Sequence, residues 1–252
     1  MNMKTDYLSQ VEGILGGAGP IASAEFMKSL YDHSQVVEQD MPAVVLISDP
    51  RLPDRTECLL HNDVDALLHA FMLGLDTLCK LNVSKITITC ITLHALIPRL
   101  PAVMKNKVNS LVDLILKELA LKKGKYLLLS TIGTRSARIF ETNEHWNQVK
   151  GKFCFLDEED QLLVNKEIYH LKLGSINDNK NFFNYIETLI KKYKVNGWIA
   201  GCTELHLITK DLSREKYLGN SGLYDYIDPL FLAVKDIHRR NNTKNLSLEA
   251  IK

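Results

Sequence analysis

Two cysteines in this chain stand in the same local pattern. Cys90 and Cys202 each follow an apolar, β-branched run, and each begins the pattern Cys-x-x-Leu-His, which ends at His94 and His206. The cysteine and the histidine therefore recur at the same separation. A short apolar run, a polar turn and then helical spacing predict a buried parallel strand that enters a helix. We expect each cysteine at the carboxyl end of a strand, the edge where open α/β sheets bind ligands.

This position is expected to make the two thiols more reactive. The free amide hydrogens and the dipole at the start of a helix favour an anion, so a thiol there ionises more readily. Two matched thiols that face each other across a cleft can move a proton from one side of a carbon atom to the other. A free cysteine more commonly packs as a small apolar residue. The matched recurrence favours the catalytic interpretation.

The same four residues have a second interpretation as metal ligands. Cys90 with His94, and Cys202 with His206, are each spaced i, i+4 on a helix, and together they have the chemistry of a structural zinc site. Structural zinc, however, usually ties together a small domain through closely spaced pairs. We therefore expect no metal and no other cofactor in this chain.

Composition limits the function classes. A formal net charge of +1 gives no electrostatic footprint for nucleic acid or a membrane surface. No apolar stretch approaches the roughly 20 residues that span a bilayer, and the first residues lack the order of a signal peptide. We therefore expect a cytoplasmic protein. The odd number and wide spacing of the cysteines argue against a disulfide framework; they are Cys58, Cys79, Cys90, Cys154 and Cys202.

A glycine-rich turn follows the first predicted strand. The apolar run Val11–Leu15 ends in the segment 16–20, Gly-Gly-Ala-Gly-Pro, and helical spacing follows over 21–31. Such a turn lets the backbone approach a ligand and points helix-start amides at it. Ala22 and Pro20 break the dinucleotide fingerprint, so a nucleotide is not favoured here, and a small carboxylate would also suit the turn at Gly17 and Ala18. A tight turn that needs glycine only for its dihedral angles is the alternative.

A stiff loop follows the second predicted strand, Ala43–Ser48. Residues 49–56 contain two prolines and two aspartates, and Asp54 or Thr56 can cap the long helix predicted from about residue 57 to 81. An arginine held in such a loop suits bidentate capture of a carboxylate, and we favour this role for Arg55 over that of a solvated surface arginine.

The second half of the chain repeats the first. A strand at Tyr126–Ser130 leads into Thr131-Ile-Gly133-Thr134 and a helix through Phe140 and Trp146. Gly133 follows Gly19 at nearly the separation of the two cysteines, which indicates an internal duplication of the strand–helix plan.

The remaining elements follow from periodicity. Helices are predicted at about 108–121, 158–172, 182–193 and 228–238, and a strand at 152–156. We expect a first half at 1–107, completed by the C-terminal helix 228–240, a second half at 108–227, and a polar, frayed tail at 241–252.

The ordered motifs resemble the aspartate/glutamate racemase family, whose members work without pyridoxal phosphate. The matching segments run in family order over most of the chain: Gly13–Pro20, Pro53–Thr56, Thr89–His94, Ser130–Thr134, Ile168–Tyr169 with Lys172–Gly174, Gly201–Glu204 and Ile227–Pro229. Each segment alone is a weak signal, and the ordered set is specific.

The resemblance implies two similar α/β domains, each a parallel sheet flanked by helices, with the active site in the cleft between them, and a homodimer. It implies a cofactor-independent racemase whose small-molecule substrate is aspartate or glutamate. Cys90 and Cys202 match the residues that remove and donate the α-proton, in roles that reverse for the other enantiomer. Arg55 and Lys172 match the binders of the side-chain carboxylate.

Other family positions would surround the substrate. The resemblance places Thr92, Thr131 and Thr203 around the α-carboxylate, and we add Gly17, Ala18, Ile91 and Glu204 to the expected substrate contacts. A carboxylate raises the pKa of a nearby thiol, so Glu204 is expected to orient a group or act as an acid rather than to generate a thiolate.

The chain departs from the family pattern at several positions. Ile91 replaces the usual asparagine, Ala18 a methionine, and His206 a residue that is often small or proline; Lys172 follows Tyr169 one residue earlier than usual. Loss of the amide could cost roughly 1.5–3 kcal/mol of binding. These changes bear on the substrate more than on the reaction, and they keep open a binding protein for small acids, or a related isomerase or decarboxylase, with the same fold.

Overall fold

A computed structural model describes residues 11–34, 36–174, 179–217 and 224–249. In this part of the chain two four-stranded sheets are present, and all pairings within them are parallel. The strands are β1 (Glu12–Gly16), β2 (Val44–Ser48), β3 (Ile86–Ile88), β4 (Val108–Asn109), β5 (Tyr126–Leu129), β6 (Phe153–Cys154), β7 (Gly197–Ala200) and β8 (Asp225–Ile227).

The two sheets have the same topology. The first has the order β2-β1-β3-β4 and the second has the order β6-β5-β7-β8. The third strand along the chain in each half, β3 or β7, therefore lies in the same place in its sheet. This confirms the predicted α/β fold of two similar halves.

Helices flank both sheets. They are α1 (Pro20–Asp32), α2 (Arg55–Leu60), α3 (Asp65–Lys80), α4 (Ala102–Lys105), α5 (Leu111–Leu121), α6 (Ile132–Ser136), α7 (Trp146–Val149), α8 (Glu158–Lys172), α9 (Asn179–Tyr193), α10 (His206–Tyr217) and α11 (Pro229–Glu249). Short 3₁₀ segments lie at Glu38–Asp40, Thr92–Arg99, Lys150–Lys152 and Thr203–Leu205. No helix among the described residues is both long and apolar enough to cross a membrane.

Three apolar clusters hold the fold together. One lies within the first half around Phe71 and Ile86, and another lies within the second half around Trp198. The third is shared, because it joins Ile14 and Phe26 of the first half to Ile199 of the second. Helix α11 contributes to this shared cluster and packs on both α1 and α5. Burial of this continuous apolar surface stabilises the two halves as one unit.

The sequence predicted one continuous helix over 57–81, and this prediction is wrong because two helices occupy the segment. Helix α2 ends at Leu60, and α3 begins at Asp65. Between them Asn62 has a φ of 53°, the left-handed conformation that ends a helix. The apolar spacing on both sides of this break was compatible with one continuous helix.

Other boundaries also differ from the predicted ones. Val108 and Asn109 form strand β4 beside β3, whereas the sequence predicted a helix from about residue 108. Helix α5 begins only after Ser110, whose hydroxyl accepts a hydrogen bond from the Asp113 amide. The last helix, α11, continues to Glu249 through most of the predicted tail, and residues 250–252 lie outside the described residues.

His94 ties the loop after β3 to α5. The amide N–H of Leu111 donates to His94 Nε2 at 3.1 Å, so Nδ1 carries the proton and donates to the Cys90 carbonyl oxygen at 2.9 Å. Burial lowers the pKa of His94 to about 4. The ring therefore stays neutral in the folded protein at physiological pH.

This environment predicts a stability change with pH. The folded pKa of His94 lies below the ordinary value of 6.5, so its contribution is present above pH 6.5 and is lost as pH falls towards 4. We expect a loss of about 3 kcal/mol in the free energy of unfolding across this window. Urea unfolding of the wild type and of His94→Gln at several pH values checks it.

His61→Gln is the matched control, because the side chain of His61 is 73% exposed. This variant should retain the slope of the wild-type curve, whereas His94→Gln should flatten it. An equal slope in the wild type and in His94→Gln would contradict the assignment.

Candidate active site

Cys90 and Cys202 occupy equivalent positions in the two halves. Cys90 lies two residues beyond the end of β3, and Cys202 lies two residues beyond the end of β7. A 3₁₀ turn follows each cysteine directly or after one residue. Both residues are nearly sealed from solvent, with 8% of Cys90 and 5% of Cys202 exposed. The sequence pattern predicted this placement at the carboxyl edge of each sheet.

Arg55 and Lys172 bring positive charge to both cysteines. Arg55 is the first residue of α2, and its guanidinium donates to the Ala18 carbonyl oxygen at 2.5 Å. Burial works to lower the pKa of Arg55, but the charges that Cys90, Asp54, Glu204 and Cys202 can carry hold it above its ordinary value. Arg55 therefore remains a cation close to thiols from both halves.

Lys172, the last residue of α8, reaches the same region from the second half. Burial again works to lower its pKa, but the charge that Cys202 can carry as a thiolate and the charge of Glu204 raise it above its ordinary value. Its Nζ also lies 3.9 Å from the centre of the Tyr169 ring, a cation–π contact. One cation from each half therefore approaches the cysteines.

A hydrogen bond across the two halves lies beside these cations. The Tyr169 hydroxyl of α8 donates to both carboxylate oxygens of Asp54, at 3.0 and 3.1 Å. Asp54 also accepts the Glu57 amide N–H at 3.0 Å and thereby caps α2. The start of α2, where Arg55 lies, is thus fixed to the opposite half.

Glu204 touches the Cys202 thiol directly. The sulfur donates to Glu204 Oε2 at 2.7 Å, and both residues are buried. Burial, followed by the negative charge of Glu204, raises the pKa of Cys202 well above its ordinary value, and Lys172 opposes this only in part. The Cys202 thiol is therefore protonated at neutral pH, in the direction expected from the sequence.

Glycines permit close approach at two places in the site. Gly17 has a φ of +93°, and its amide N–H donates to the Ser23 hydroxyl at 3.2 Å. A Cβ at Gly19 would lie 2.2 Å from Glu204 Oε1, so only glycine admits the carboxylate here. The predicted glycine turn of the first half thus packs against the second cysteine turn, and Ala18 is buried in the apolar cluster of the first half.

A group of buried threonine hydroxyls bridges the halves. Thr92 Oγ1 lies 2.9 Å from Thr134 Oγ1 and 3.3 Å from Thr131 Oγ1. Thr203 donates to the Thr89 carbonyl oxygen at 3.0 Å. The predicted residues Thr92, Thr131 and Thr203 therefore all lie where the two halves meet.

Ile91 faces away from these polar groups. Its side chain is 1% exposed and packs in the shared apolar cluster with Ile14 and Leu111. Only the main chain of Ile91 remains beside Cys90. The structure therefore places the Ile91 side chain in the core.

The two histidines of the repeated pattern do not point at the sulfur atoms. Both ring nitrogens of His94 bond to main-chain groups, and those of His206 contact Asp228 and Ser29. Within the described ranges, no group of three or more His, Cys, Asp or Glu side chains is arranged to hold a metal ion. The two-cysteine, two-histidine zinc interpretation thus has no support in this geometry.

The sequence patterns left several polar contacts of the site unassigned. Thr134 lies three residues after the capping Thr131, and Tyr169 lies three residues before Lys172, so helical spacing was the available signal for both. The contacts of Asp54 with Tyr169 and of Glu204 with Gly19 join distant parts of the chain. No local pattern predicts them.

Comparison with known proteins places the chain among racemases. The model of the family described as Asp/Glu/Hydantoin racemase matches residues 15–235. The structure is similar to that of the Picrophilus torridus aspartate racemase, with 26% sequence identity and a TM-score of 0.76, over 92% of this chain and 94% of that one.

More distant structures share the fold. An aspartate racemase homologue from Pyrococcus horikoshii is 18% identical, with a TM-score of 0.66, over 92% of this chain and 99% of that chain. A glutamate racemase from Francisella tularensis subsp. tularensis, solved with D-glutamate, is 16% identical, with a TM-score of 0.62, over 95% of this chain and 84% of that chain.

The contact between Glu204 and the thiol makes a prediction. Glu204→Gln removes the negative charge beside Cys202, so the pKa of that thiol should fall. Cys202 should then react with iodoacetamide at lower pH than in the wild type. Peptide mass spectrometry across a pH series measures the modification of each cysteine.

Cys79, on α3, provides an internal control in the same samples, and its profile should not change. A Cys202 profile that stays in place, or moves to higher pH, would show that Glu204 does not hold the proton on this thiol.

Proposed function

The chain belongs to the Asp/Glu/hydantoin racemase family and is an amino acid racemase, and from that premise we propose that it interconverts the enantiomers of aspartate or glutamate without a cofactor. One observation carries the proposal. Equivalent, buried cysteines lie at the carboxyl edges of two similar sheets, and both cysteines raise the pKa of Arg55.

The mechanism uses one cysteine from each half. A thiolate on one wall removes the α-hydrogen as a proton, and the electron pair of the C–H bond remains on the α-carbon. A thiol on the other wall then donates its proton to the opposite face of that carbon. Cys202, which holds its proton beside Glu204, suits the donor role in the resting enzyme, with Cys90 as the base. The roles exchange for the other enantiomer.

The charges favour an acidic substrate. Arg55 and Lys172 are cations in a largely buried region, and a substrate with a second carboxylate would neutralise them. We assign these two residues to the side-chain carboxylate. The hydroxyls of Thr92, Thr131 and Thr203 are assigned to the α-carboxylate, because the first two contact each other across the halves and the third bonds across them to Thr89.

The main chain completes the proposed substrate site. Gly17, Ala18 and Ile91 would contribute backbone groups, and Glu204 would hold the proton of Cys202. The α-hydrogen of an amino acid is very weakly acidic, so the site must stabilise a carbanion as well as supply a base. Preorganised positive groups of this kind are often the largest catalytic contribution.

Two further features belong to the proposal. Thiol catalysis requires reduced cysteines, which supports a cytoplasmic location, and the described cysteines are free. We also propose a homodimer, as the sequence resemblance implies. Light scattering on the purified protein should give twice the chain mass of 28.6 kDa, and a mass of one chain at micromolar concentration would refute the dimer.

Deuterium exchange tests the reaction itself. Incubation of L-aspartate and L-glutamate with the enzyme in heavy water should introduce deuterium at the α-carbon of at least one of them, together with the D-enantiomer. A protein that only binds small acids would leave the α-hydrogen in place, and a decarboxylase would release carbon dioxide. Proton NMR and chiral chromatography follow all three outcomes.

Single cysteine variants extend this test. Cys90→Ala and Cys202→Ala should each abolish racemisation, because each removes one of the two proton carriers. Cys79→Ala should racemise at the wild-type rate. Full racemisation in both directions by either active-site variant would exclude the two-base mechanism.

Variants of the two cations test the substrate class. Arg55→Gln and Lys172→Gln should each raise KM for the acidic amino acid on the order of ten- to a hundredfold. This change corresponds to the free energy of one lost hydrogen bond to a charged group. Arg51→Gln is the matched control, since the side chain of Arg51 lies in the same loop and is 87% exposed. An unchanged KM in both cation variants would exclude their assignment to a substrate carboxylate.

A further inference from the structure

His206 is a fully buried histidine that the proposed mechanism does not use. None of its surface is exposed, and it begins α10 directly after the Thr203–Leu205 turn that carries Glu204. Its Nδ1 lies 2.6 Å from Asp228 Oδ2, and its Nε2 lies 2.9 Å from the hydroxyl of Ser29. The ring thus bridges two groups that are far apart in the sequence.

Three helices meet at this ring. Ser29 lies on α1 of the first half, His206 starts α10 of the second half, and Asp228 precedes α11. Asp228 is itself fixed, because it accepts the Leu230 amide N–H at 2.8 Å and the Thr209 hydroxyl. The Phe231 ring packs edge-on against His206, with 4.7 Å between the ring centres. The imidazole is therefore held on several sides.

The order serine, histidine, carboxylate resembles that of a hydrolase triad, but the location excludes such chemistry. Only 3% of Ser29 and 4% of Asp228 are exposed, in addition to the complete burial of His206. Ser29 also lies within α1, where the main-chain N–H groups are bonded inside the helix and cannot form an oxyanion hole beside its hydroxyl. We therefore assign the three side chains a structural role and not a catalytic one.

What they hold is the turn that follows Cys202. In this turn Thr203 donates to the Thr89 carbonyl oxygen, and the Glu204 carboxylate lies against Gly19. His206 adds the contact with Ser29, so the turn meets the first half at three places. The position of the Cys202 sulfur relative to Cys90 is therefore set where this turn joins the opposite half.

We propose that His206 is a positioning residue, whose bridge between Asp228 and Ser29 fixes the turn that sets the Cys202 thiol and the Glu204 carboxylate against the first half. In its catalytic consequence this inference rests on the proposed function. His94 has the equivalent place after Cys90, but its partners are main-chain groups of its own surroundings. Of these two histidines, His206 is the one whose ring bonds to a side chain of the opposite half.

The test compares three variants with the wild-type enzyme. His206→Leu keeps an apolar body and removes both bonds, whereas His206→Gln has an amide that can donate to Asp228 and accept from Ser29. Ser29→Ala removes only the contact with the first half. His61→Gln, at an exposed position, is the control.

We expect His206→Leu to lower kcat by about tenfold or more, because a misplaced proton carrier slows the chemical step. KM should stay within about twofold, since Arg55 and Lys172 are untouched. His206→Gln should recover most of the loss, and Ser29→Ala should show a smaller loss in the same direction. The pH profile of Cys202 alkylation should shift in His206→Leu while that of Cys90 stays in place.

Several outcomes would overturn the inference. One is a folded His206→Leu enzyme with wild-type kcat and an unchanged Cys202 profile. Another is an equal change at Cys90 and Cys202, which would indicate general loosening. If His206→Leu does not fold, Ser29→Ala and His206→Gln decide by the same readouts. If the wild type racemises no amino acid, the proposed function fails, and the alkylation profiles still test the position of Cys202.

Discussion

The structure depends on holding opposite charges and thiols together in a region with little water. Arg55 and Lys172 stay charged despite burial because the Glu204 carboxylate lies near both of them and the Asp54 carboxylate lies near Arg55. Buried charges are costly unless they are paired, so each group constrains the positions of the others. Three contacts between the two halves maintain this arrangement. They are the Asp54–Tyr169 hydrogen bond, the threonine hydroxyls and the approach of Glu204 to Gly19.

The meeting of the halves and the site are therefore the same part of the molecule. The glycine turn of the first half packs against Glu204, and the turn after Cys202 bonds to Thr89. Helix α11 also contributes to this packing, because it contacts both α1 and α5. A mutation that loosens this contact is expected to affect stability and catalysis together.

Much of this could be predicted from the sequence, because strands and the turns after them leave local patterns. The apolar runs before Cys90 and Cys202 identified β3 and β7, and the glycine turn identified the end of β1. The left-handed Asn62 left no comparable signal within a continuous apolar periodicity. The bonds of Asp54 with Tyr169 and of His206 with Asp228 depend on how the sheets pack, which periodicity does not encode.

The two halves differ in charge at the second residue after each cysteine. It is Thr92 in the first half and Glu204 in the second, so this position supplies a carboxylate to the Cys202 sulfur and a hydroxyl on the side of Cys90. For a racemase this asymmetry has a thermodynamic bound. The two enantiomers have equal free energy, so their equilibrium constant is unity, and the Haldane relation requires equal kcat/KM in both directions. The difference between the two cysteine environments can therefore give the two enantiomers different values of kcat and of KM. It cannot shift the equilibrium towards either enantiomer.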